Sequence, residues 1–296
     1  MSQVELVNRI EECPEPDVPP AEKRAVIILR PSSRWQLINL RELWQFRELI
    51  VQFAWRDVKV RYKQTIIGAA WAILQPALMM VVFTICFSRL AGVDSADIPY
   101  PLFVYAGLLP WTFFASAITS AGNSVIGSER LITKIYFPRL AMPFAAVATA
   151  GVDFLVAFGL LVILMIVYGV AWSTSLLLIP LFLGLIAFGA LGIGTLLAAL
   201  TVAYRDFRYA TPFLVQLWMF ATPTVYMQPG GDASGSLQAL LALNPMTELI
   251  SAFRAAALGG AIAWDGIGVS CLAMLGTFVV GCLYFRKVED LFSDII

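Results

Sequence analysis

Asp153 is the one formal charge deep inside an apolar stretch of this sequence, the segment over about 141–168. An ionised carboxylate is costly within a membrane, so its side chain must face a partner or a water-filled cavity. Two interpretations follow. Asp153 acts as a gate or proton site, or else it makes a hydrogen bond between helices or lies nearer the membrane surface.

The residues that usually perform catalysis are missing. The chain has no histidine for acid–base chemistry and no Gly-x-Ser-x-Gly sequence. A Gly-x-x-x-x-Gly-Lys-Ser/Thr loop that would cradle ATP is also absent. The four cysteines indicate neither a disulfide framework nor a metal site. We therefore predict no catalytic residue, no bound cofactor and no metal in this chain.

The fifth apolar segment, over about 211–228, combines a proline with polar and aromatic groups. Pro223 has no N–H to donate, which frees the carbonyl of Met219, and Thr222 could satisfy that carbonyl. Such a helix suits a translocation pathway for an amphiphile, because rings stack on sugar faces and tolerate lipid. Alternatively, these groups serve helix packing and an interfacial aromatic belt. They are Gln216, Trp218, Phe220 and Tyr226.

The segment over 123–140 places charged and aromatic residues among apolar ones. This pattern is typical of a short amphipathic helix that docks into a groove of a soluble partner. A loop anchored by lipid headgroups is the alternative. The residues concerned are Glu129, Arg130, Lys134, Phe137 and Arg139.

Composition sets the context for these residues. Hydrophobic residues make up 59% of the chain and charged residues 14%, with a mean hydropathy of +0.80. A soluble domain would carry roughly 25% charge. The sequence therefore predicts an all-α polytopic membrane protein. Nucleic-acid binding is disfavoured, because the cations lie beside the predicted spans.

A transmembrane helix needs roughly 20 apolar residues to cross about 30 Å of hydrocarbon. Small residues recur every four positions in the fourth such segment, at Ala190, Gly194 and Ala198, which predicts close helix packing. The six predicted spans cover about 66–88, 101–122, 141–168, 175–202, 211–228 and 265–285.

The cations indicate the orientation. A basic cluster over 56–63 directly precedes the first span, which must therefore enter from the cytosol. With a cytosolic N-terminus, every lysine and arginine except Arg89 and Arg254 lies on the cytosolic side. Both termini are therefore predicted to be cytosolic.

Two regions flank the spans on the N-terminal side. Residues 1–34 form a predicted flexible cytosolic tail, since the first 24 are acidic and proline-rich and show no cleavable signal peptide. Residues 39–54 form a predicted amphipathic helix in the membrane interface, with Trp44 and Trp55 at headgroup level. A helix packed on a cytosolic partner is the alternative. The transmembrane domain then covers 35–296.

The region before the last span contains two short apolar segments, over 237–243 and 245–258, which are separated at Asn244-Pro245. Asn244 suits a helix N-cap and Pro245 a first helical position. Each segment is too short to span, so we predict a re-entrant hairpin over 237–258 that dips in from the outside. The alternative is a kinked seventh span, which would move the C-terminus outside and bury Glu248 and Arg254.

Several short patterns occur together in a defined order. The most specific is Arg56-Asp57-x-Lys59-x-Arg61-Tyr62-Lys63-x-Thr65-x-x-Gly68-x-x-Trp71-x-x-x-x-Pro76. The supporting ones are Gly107-Leu-Leu-Pro-Trp111, Lys134-x-x-Phe137-Pro138, Tyr204-Arg-Asp206, Gln216-x-Trp218, Thr222-Pro223-x-x-Tyr226 and Asn244-Pro245. From about residue 35 to its end, the chain thus resembles the permease subunits of ABC type 2 exporters of bacterial surface polysaccharides, a group that includes exporters of O-antigen, capsule and wall teichoic acid.

The resemblance implies a homodimer in the bacterial inner membrane with two separate ATPase subunits, which bind ATP and Mg. It implies a coupling helix over about 128–139, which meets the ATPase. It also implies a channel at the dimer interface, for which the candidate residues are Phe83, Phe87, Trp218, Phe220 and Tyr226. The implied periplasmic gate contains Asn244, Pro245, Glu248 and Arg254.

The predicted activity is the export of a lipid-linked polysaccharide, most simply an undecaprenyl-linked O-antigen. A first alternative is the same scaffold with another substrate, such as capsule, teichoic acid, a drug or a lipid. A second is a transporter or scramblase that needs no ATP and depends on Asp153.

Overall fold

The computed structural model describes residues 40–63, 68, 70–90, 98–132, 134, 137–226 and 244–289. Over these ranges the chain is helical and has no strand, so the prediction of an all-α membrane protein is confirmed. The predicted tail over 1–34 and the first half of the predicted hairpin, over 237–243, lie outside the described residues.

The α-helices are numbered in chain order. They are α1 (Leu40–Gln45), α2 (Arg47–Lys63), α3 (Ala70–Phe83), α4 (Tyr100–Ser124), α5 (Glu129–Ile132), α6 (Ala141–Val167), α7 (Ile179–Ala203), α8 (Phe207–Phe220), α9 (Pro245–Leu258) and α10 (Trp264–Glu289). A π-helical segment over Thr84–Leu90 extends α3, and 3₁₀ turns over Ile126–Ser128 and Thr174–Leu178 precede α5 and α7.

Five stretches of the described residues are long and apolar enough to cross a membrane. They agree with the first four predicted spans and the last one. They are Ala70–Phe87, Tyr100–Ser124, Ala141–Val167, Thr174–Ala203 and Trp264–Glu289.

The predicted fifth span differs from the observed helix. α8 has 14 residues and rises about 21 Å, which is less than the roughly 30 Å of a hydrocarbon core. It ends at Phe220, and turns follow it up to Tyr226. The helix stops here because the residue before a proline, Thr222, disfavours helical geometry. The continuous helix predicted over 211–228 therefore extended too far at its C-terminal end.

Thr222 also bonds differently from the prediction. Its hydroxyl donates to the carbonyl of Trp218 at 2.9 Å, and its backbone N–H donates to the carbonyl of Met219 at 3.2 Å. Thr222 therefore satisfies the Met219 carbonyl, as expected, but with its backbone N–H and not with its hydroxyl. The side chain instead bonds the carbonyl of Trp218 in the last turn of α8.

α4 forms the centre of the helix packing. It lies against α6 and α7, and most of its side chains are buried, among them Tyr105 and Phe114. The Tyr105 hydroxyl donates to the carbonyl of Ala157 in α6 at 2.8 Å, so even a fully buried phenol has a partner. By contrast, α3 buries little of its surface within the chain.

Glycines allow α7 and α10 to pack with their backbones in contact. A Cβ at Gly192 would lie 2.6 Å from the Cα of Phe278, and a Cβ at Gly281 would overlap the carbonyl oxygen of Gly192. The predicted packing role of the small residues in this span is confirmed. Ala190 and Ala198 are fully buried, and Gly194 lies so close to α4 that a Cβ there would be 2.6 Å from the Cβ of Ala121.

This contact yields a stability prediction. Gly281→Ala should destabilise the protein by about 1–3 kcal/mol, because the added methyl group must push two backbones apart. The measurement is thermal unfolding of the purified protein in detergent. Gly276→Ala is the matched control, since it lies on the same helix and a Cβ there meets nothing within 4 Å. Equal unfolding temperatures for the two variants would contradict the packing described for α7 and α10.

Candidate functional site

A cavity of about 550 Å³ lies among α3, α4, α6 and α8. Residues of all four helices line it. Apolar residues supply part of the wall, including Met79, Leu108 and Phe154. The cavity is large enough for a small ligand or for part of a chain-like one.

Polar side chains distinguish this cavity from the surrounding apolar helices. Gln75 of α3 and Gln216 of α8 contribute amides. α4 contributes hydroxyl groups about one helical turn apart, so they share one face. These are Thr112, Ser116, Thr119 and Ser120. The sequence reasoning missed them, although their spacing of three or four residues within a buried helix was a visible signal.

Asp153 borders the same cavity and is bound by α2. Arg61 donates from Nη1 to one carboxylate oxygen of Asp153, and the Tyr62 hydroxyl donates to the other. The expectation that this carboxylate faces a partner is therefore confirmed, whereas its role as a gate or proton site stays a prediction. Burial, together with the bond to Asp153, raises the pKa of the Tyr62 phenol above its ordinary value, so the hydroxyl keeps its proton at neutral pH.

α2 packs along the first half of α6. The Thr149 hydroxyl of α6 lies 3.3 Å from the carbonyl oxygen of Ala54 in α2. Thr149 is about one helical turn before Asp153 on α6. α1 exposes Trp44, and α2 exposes Val51 and Trp55. Exposed tryptophans are typical of helices at a membrane interface. The described part of the predicted helix over 39–54 therefore forms two helices, α1 and the first half of α2, and α2 is attached to α6. Their location in the membrane interface stays a prediction.

The predicted coupling segment is helical only in short pieces. Among its described residues, a 3₁₀ turn is followed by α5, a four-residue helix that contains Glu129 and Arg130. Glu129 and Lys134 are exposed. The geometry suits contact with another molecule through these two residues.

The end of this segment is anchored instead of exposed. Phe137 is buried, and its ring contacts that of Phe53 of α2 edge-to-face at a centroid distance of 5.5 Å. Arg139 binds the last residue of α10 twice. Its Nη1 donates to the carbonyl of Glu289, and its backbone N–H donates to the Glu289 carboxylate at 3.3 Å. The segment therefore connects α2 with α10.

The five aromatic residues predicted to line a channel fall into separate environments. Phe83, Phe87 and Tyr226 join one apolar cluster against α4. Phe220 is exposed, whereas the Trp218 ring packs edge-to-face against that of Phe114 at 5.3 Å. None of the five belongs to the wall of the 550 Å³ cavity, so their channel role stays a prediction.

Asn244 joins α8 to α9. As the predicted N-cap, its side-chain oxygen accepts the Met246 N–H at 3.1 Å, and Pro245 is the first helical residue. The same oxygen accepts the Trp218 indole N–H at 3.1 Å, and the amide nitrogen donates to the Thr222 hydroxyl at 2.8 Å. One side chain thus satisfies polar groups on both elements.

Arg254 binds the turn that follows α8. Its guanidinium is buried, donates to the carbonyls of Pro223 at 3.2 Å and Thr224 at 2.6 Å, and lies 3.9 Å from the centre of the Phe103 ring. Gly107 makes this possible, since a Cβ there would overlap both the guanidinium and the Thr224 carbonyl. Carbonyl dipoles and a ring face compensate the buried charge.

Glu248, the remaining predicted gate residue, contacts α10. A Cβ at Gly266 would lie 2.7 Å from the carboxyl carbon of Glu248. The predicted gate residues therefore join α9 to its neighbours at both of its ends. A gating movement of these residues stays a prediction.

Known proteins resemble this chain over most of its length. The family model described as "ABC-2 type transporter" matches residues 48–258. The O-antigen export system permease protein RfbA of Myxococcus xanthus is 32% identical over 218 residues, which cover 73% of this chain and 82% of that protein. A protein of the same name from Klebsiella pneumoniae is 28% identical over 251 residues, or 84% and 95% of the two chains. The polysialic acid transport protein KpsM of Escherichia coli is 23% identical over 242 residues, or 79% and 91%.

The Asn244 network yields a second prediction. Asn244→Ala should lower stability by about 2 kcal/mol, because it removes a helix cap and leaves the Trp218 indole and the Thr222 hydroxyl without this partner. Asn244→Asp keeps the accepting oxygen and should cost less. Thermal unfolding in detergent is the measurement.

Asn123→Ala is the control for this pair, since the Asn123 amide donates to the Thr119 carbonyl within α4. The order of stability should be wild type, then Asn244→Asp, then Asn244→Ala. If the two Asn244 variants lost equal stability, the bonds to Trp218 and Met246 would not carry the effect.

Proposed function

This chain belongs to the ABC-2 type transporter family, and we propose that it is the membrane-spanning permease subunit of an ATP-driven exporter of lipid-linked polysaccharide. The names of the related O-antigen permeases support this substrate class. An undecaprenyl-linked O-antigen is the proposed cargo. The more distant match to a polysialic acid transport protein supports capsular polysaccharide as the alternative.

The observation that carries this proposal is a cavity among apolar helices whose wall combines polar side chains with apolar ones. Sugars need hydrogen-bonding groups along their path, and the hydroxyl face of α4 with Gln75 and Gln216 offers them. Met79 and Phe154 add apolar wall that tolerates a lipid chain. A cargo that is polar at one end and apolar at the other matches both kinds of lining.

Energy must come from a separate subunit, because this chain has no ATP-binding loop. We place the contact with the ATPase at Glu129 and Lys134, which are exposed beside anchored neighbours. Phe137 and Arg139 connect this surface to α2 and α10. A movement of the ATPase at α5 would therefore reach both helices. Nucleotide must bind one state of the assembly more tightly than the other to drive the change.

A second copy of the chain would close the open side of the cavity. α3 and α8, which flank it, expose apolar side chains such as Trp71, Leu78, Phe213 and Leu217. A polar cavity open to hydrocarbon would leave its groups poorly satisfied. Two copies that face each other across α3 and α8 would enclose a polar channel, which supports a homodimer.

The proposed location is the bacterial inner membrane, with both termini in the cytosol. The distribution of the cations supports this orientation, since those of α2, of the α4–α6 connection and of the end of α10 then share one side. The exposed tryptophans Trp44 and Trp55 would lie among lipid headgroups. α9 and its Asn244 and Arg254 contacts would lie on the periplasmic side and act there as a gate.

Reconstitution separates this proposal from an ATP-independent transporter. Vesicles that contain the permease alone should not translocate a fluorescent polyprenyl-linked glycan, whereas vesicles with permease, ATPase and ATP should. Rapid flux through the isolated permease that ignores nucleotide would contradict the proposal. A non-hydrolysable ATP analogue serves as the control.

The coupling surface can be tested by charge reversal. Lys134→Glu should weaken co-purification with the ATPase and lower export at least several-fold, because a cation at the contact becomes an anion. Asp265→Lys is the matched control, since it reverses an exposed charge at the far end of α10. Normal co-purification and full export by Lys134→Glu would remove this surface from the proposal.

A further inference from the structure

A second, smaller cavity of about 180 Å³ lies between α2, α4 and the start of α6. Two guanidinium groups, those of Arg56 and Arg61, border it on the α2 side. Hydroxyl groups border it on the other sides. These are Ser120 and Ser124 of α4, Ser128 of the following turn and Thr149 of α6. The Ser124 and Thr149 hydroxyls donate to the backbone carbonyls of Ala121 and Ala145. The donors that remain beside the cavity are the two arginines with Ser120 and Ser128, and cations beside neutral hydroxyls are the chemistry of an anion site.

Each of the two arginines already contacts a carboxylate. Arg56 donates to its neighbour Asp57 at 2.8 Å in an exposed pair, and Asp57 also borders the small cavity. Arg61 bonds to Asp153, whose carboxylate comes from another helix and is largely enclosed, with 19% of the side chain exposed. The structure thus contains an internal anion, Asp153, held by the arginine of the small cavity.

The small cavity and the 550 Å³ cavity are neighbours. Ser120 borders both of them. Asp153 borders the larger cavity while its partner Arg61 borders the smaller one. The ion pair therefore joins the small cavity, which Arg56, Asp57 and Arg61 border, to the larger cavity with its hydroxyl groups.

We propose that the small cavity binds the phosphate or diphosphate ester of a lipid headgroup, and that this anion takes Arg61 from Asp153. Guanidinium groups bind phosphate oxygens through paired N–H donors, and the hydroxyls of Ser120 and Ser128 border the same cavity. The carrier lipid as the source of the ester rests on the proposed function, whereas the anion chemistry rests on the small cavity. Asp153 holds the Arg61 guanidinium until the phosphate ester competes for it.

The competition has a structural consequence. The bonds from Arg61 and Tyr62 to Asp153 attach the end of α2 to α6 at the cavity boundary. When a phosphate ester engages Arg61, one of these two bonds is lost. Of the two bonds between α2 and Asp153, only the one from Tyr62 then remains. The sugar beyond the phosphate meets the hydroxyl groups of α4. Headgroup recognition and access to the larger cavity become a single event.

The test uses the permease–ATPase complex in phosphatidylcholine nanodiscs, with farnesyl diphosphate and inorganic diphosphate as probes. Direct titration measures the Kd of each probe for wild type and variants. Arg61→Gln should weaken binding about tenfold or more, since a charge-assisted contact is lost. Asp153→Asn should tighten binding several-fold, because it removes the competing anion. Lys59→Gln removes the same charge from an exposed position on the same helix outside the small cavity, and it should leave the Kd unchanged.

The opposite responses of the Asp153 and Arg61 variants identify competition. An ion pair with a purely structural role would make both variants bind more weakly or leave both unchanged, and either result overturns the inference. Arg61→Lys guards against misfolding of the glutamine variant, because it keeps the charge and should retain part of the affinity. Thermal unfolding of each complex shows whether the variants are folded.

The probes also distinguish the source of the anion. Tighter binding of farnesyl diphosphate than of inorganic diphosphate, with the stated response to the variants, assigns the small cavity to a carrier lipid. Equal or tighter binding of inorganic diphosphate assigns it to a soluble phosphate. Loss of probe binding when phosphatidylglycerol is added to the nanodiscs would show that bulk lipid occupies the small cavity and would overturn the inference. Export is measured separately, so diphosphate binding without export would count only against the proposed function.

Discussion

A polar group within a membrane must find its partner inside the protein, and this requirement organises the chain. Asp153 is bound by two side chains of α2, and the guanidinium of Arg254 is bound by two carbonyls and a ring face. Asn244 satisfies groups on two helices at once. Each of these residues joins elements that apolar packing alone would leave free to slide.

These and other side-chain contacts form two separate sets. At one end, α2, the 128–139 segment and α10 are connected through the Phe137 ring and through Arg139. At the other end, α9, α4 and the turn after α8 are connected through Arg254 at the notch left by Gly107. Residues of α4 and α6 line the 550 Å³ cavity, and the same two helices supply Gly107 and Asp153 to these polar contacts.

Composition and length were sufficient to predict five long apolar helices, because a span must be apolar over about 20 residues whatever its neighbours are. Local chemistry also predicted the Asn244 cap and the close packing at Gly194. Tertiary facts were not predictable in this way. The partners of Asp153 lie 91 and 92 residues away along the chain, and no local pattern pairs them. The aromatic residues of α8 looked alike in sequence, yet Trp218 packs inside and Phe220 points outside.

The backbone contact between Gly192 and Gly281 has a mechanical consequence. Because no side chains separate α7 and α10 at this contact, we expect the two helices to move as one rigid unit. α4 packs against the same unit at Gly194. Rearrangement is therefore cheapest at α3 and α8, whose outer faces carry few intramolecular ties. A passage for a bulky cargo would therefore open by a movement of α3 and α8 relative to the rigid unit of α4, α7 and α10.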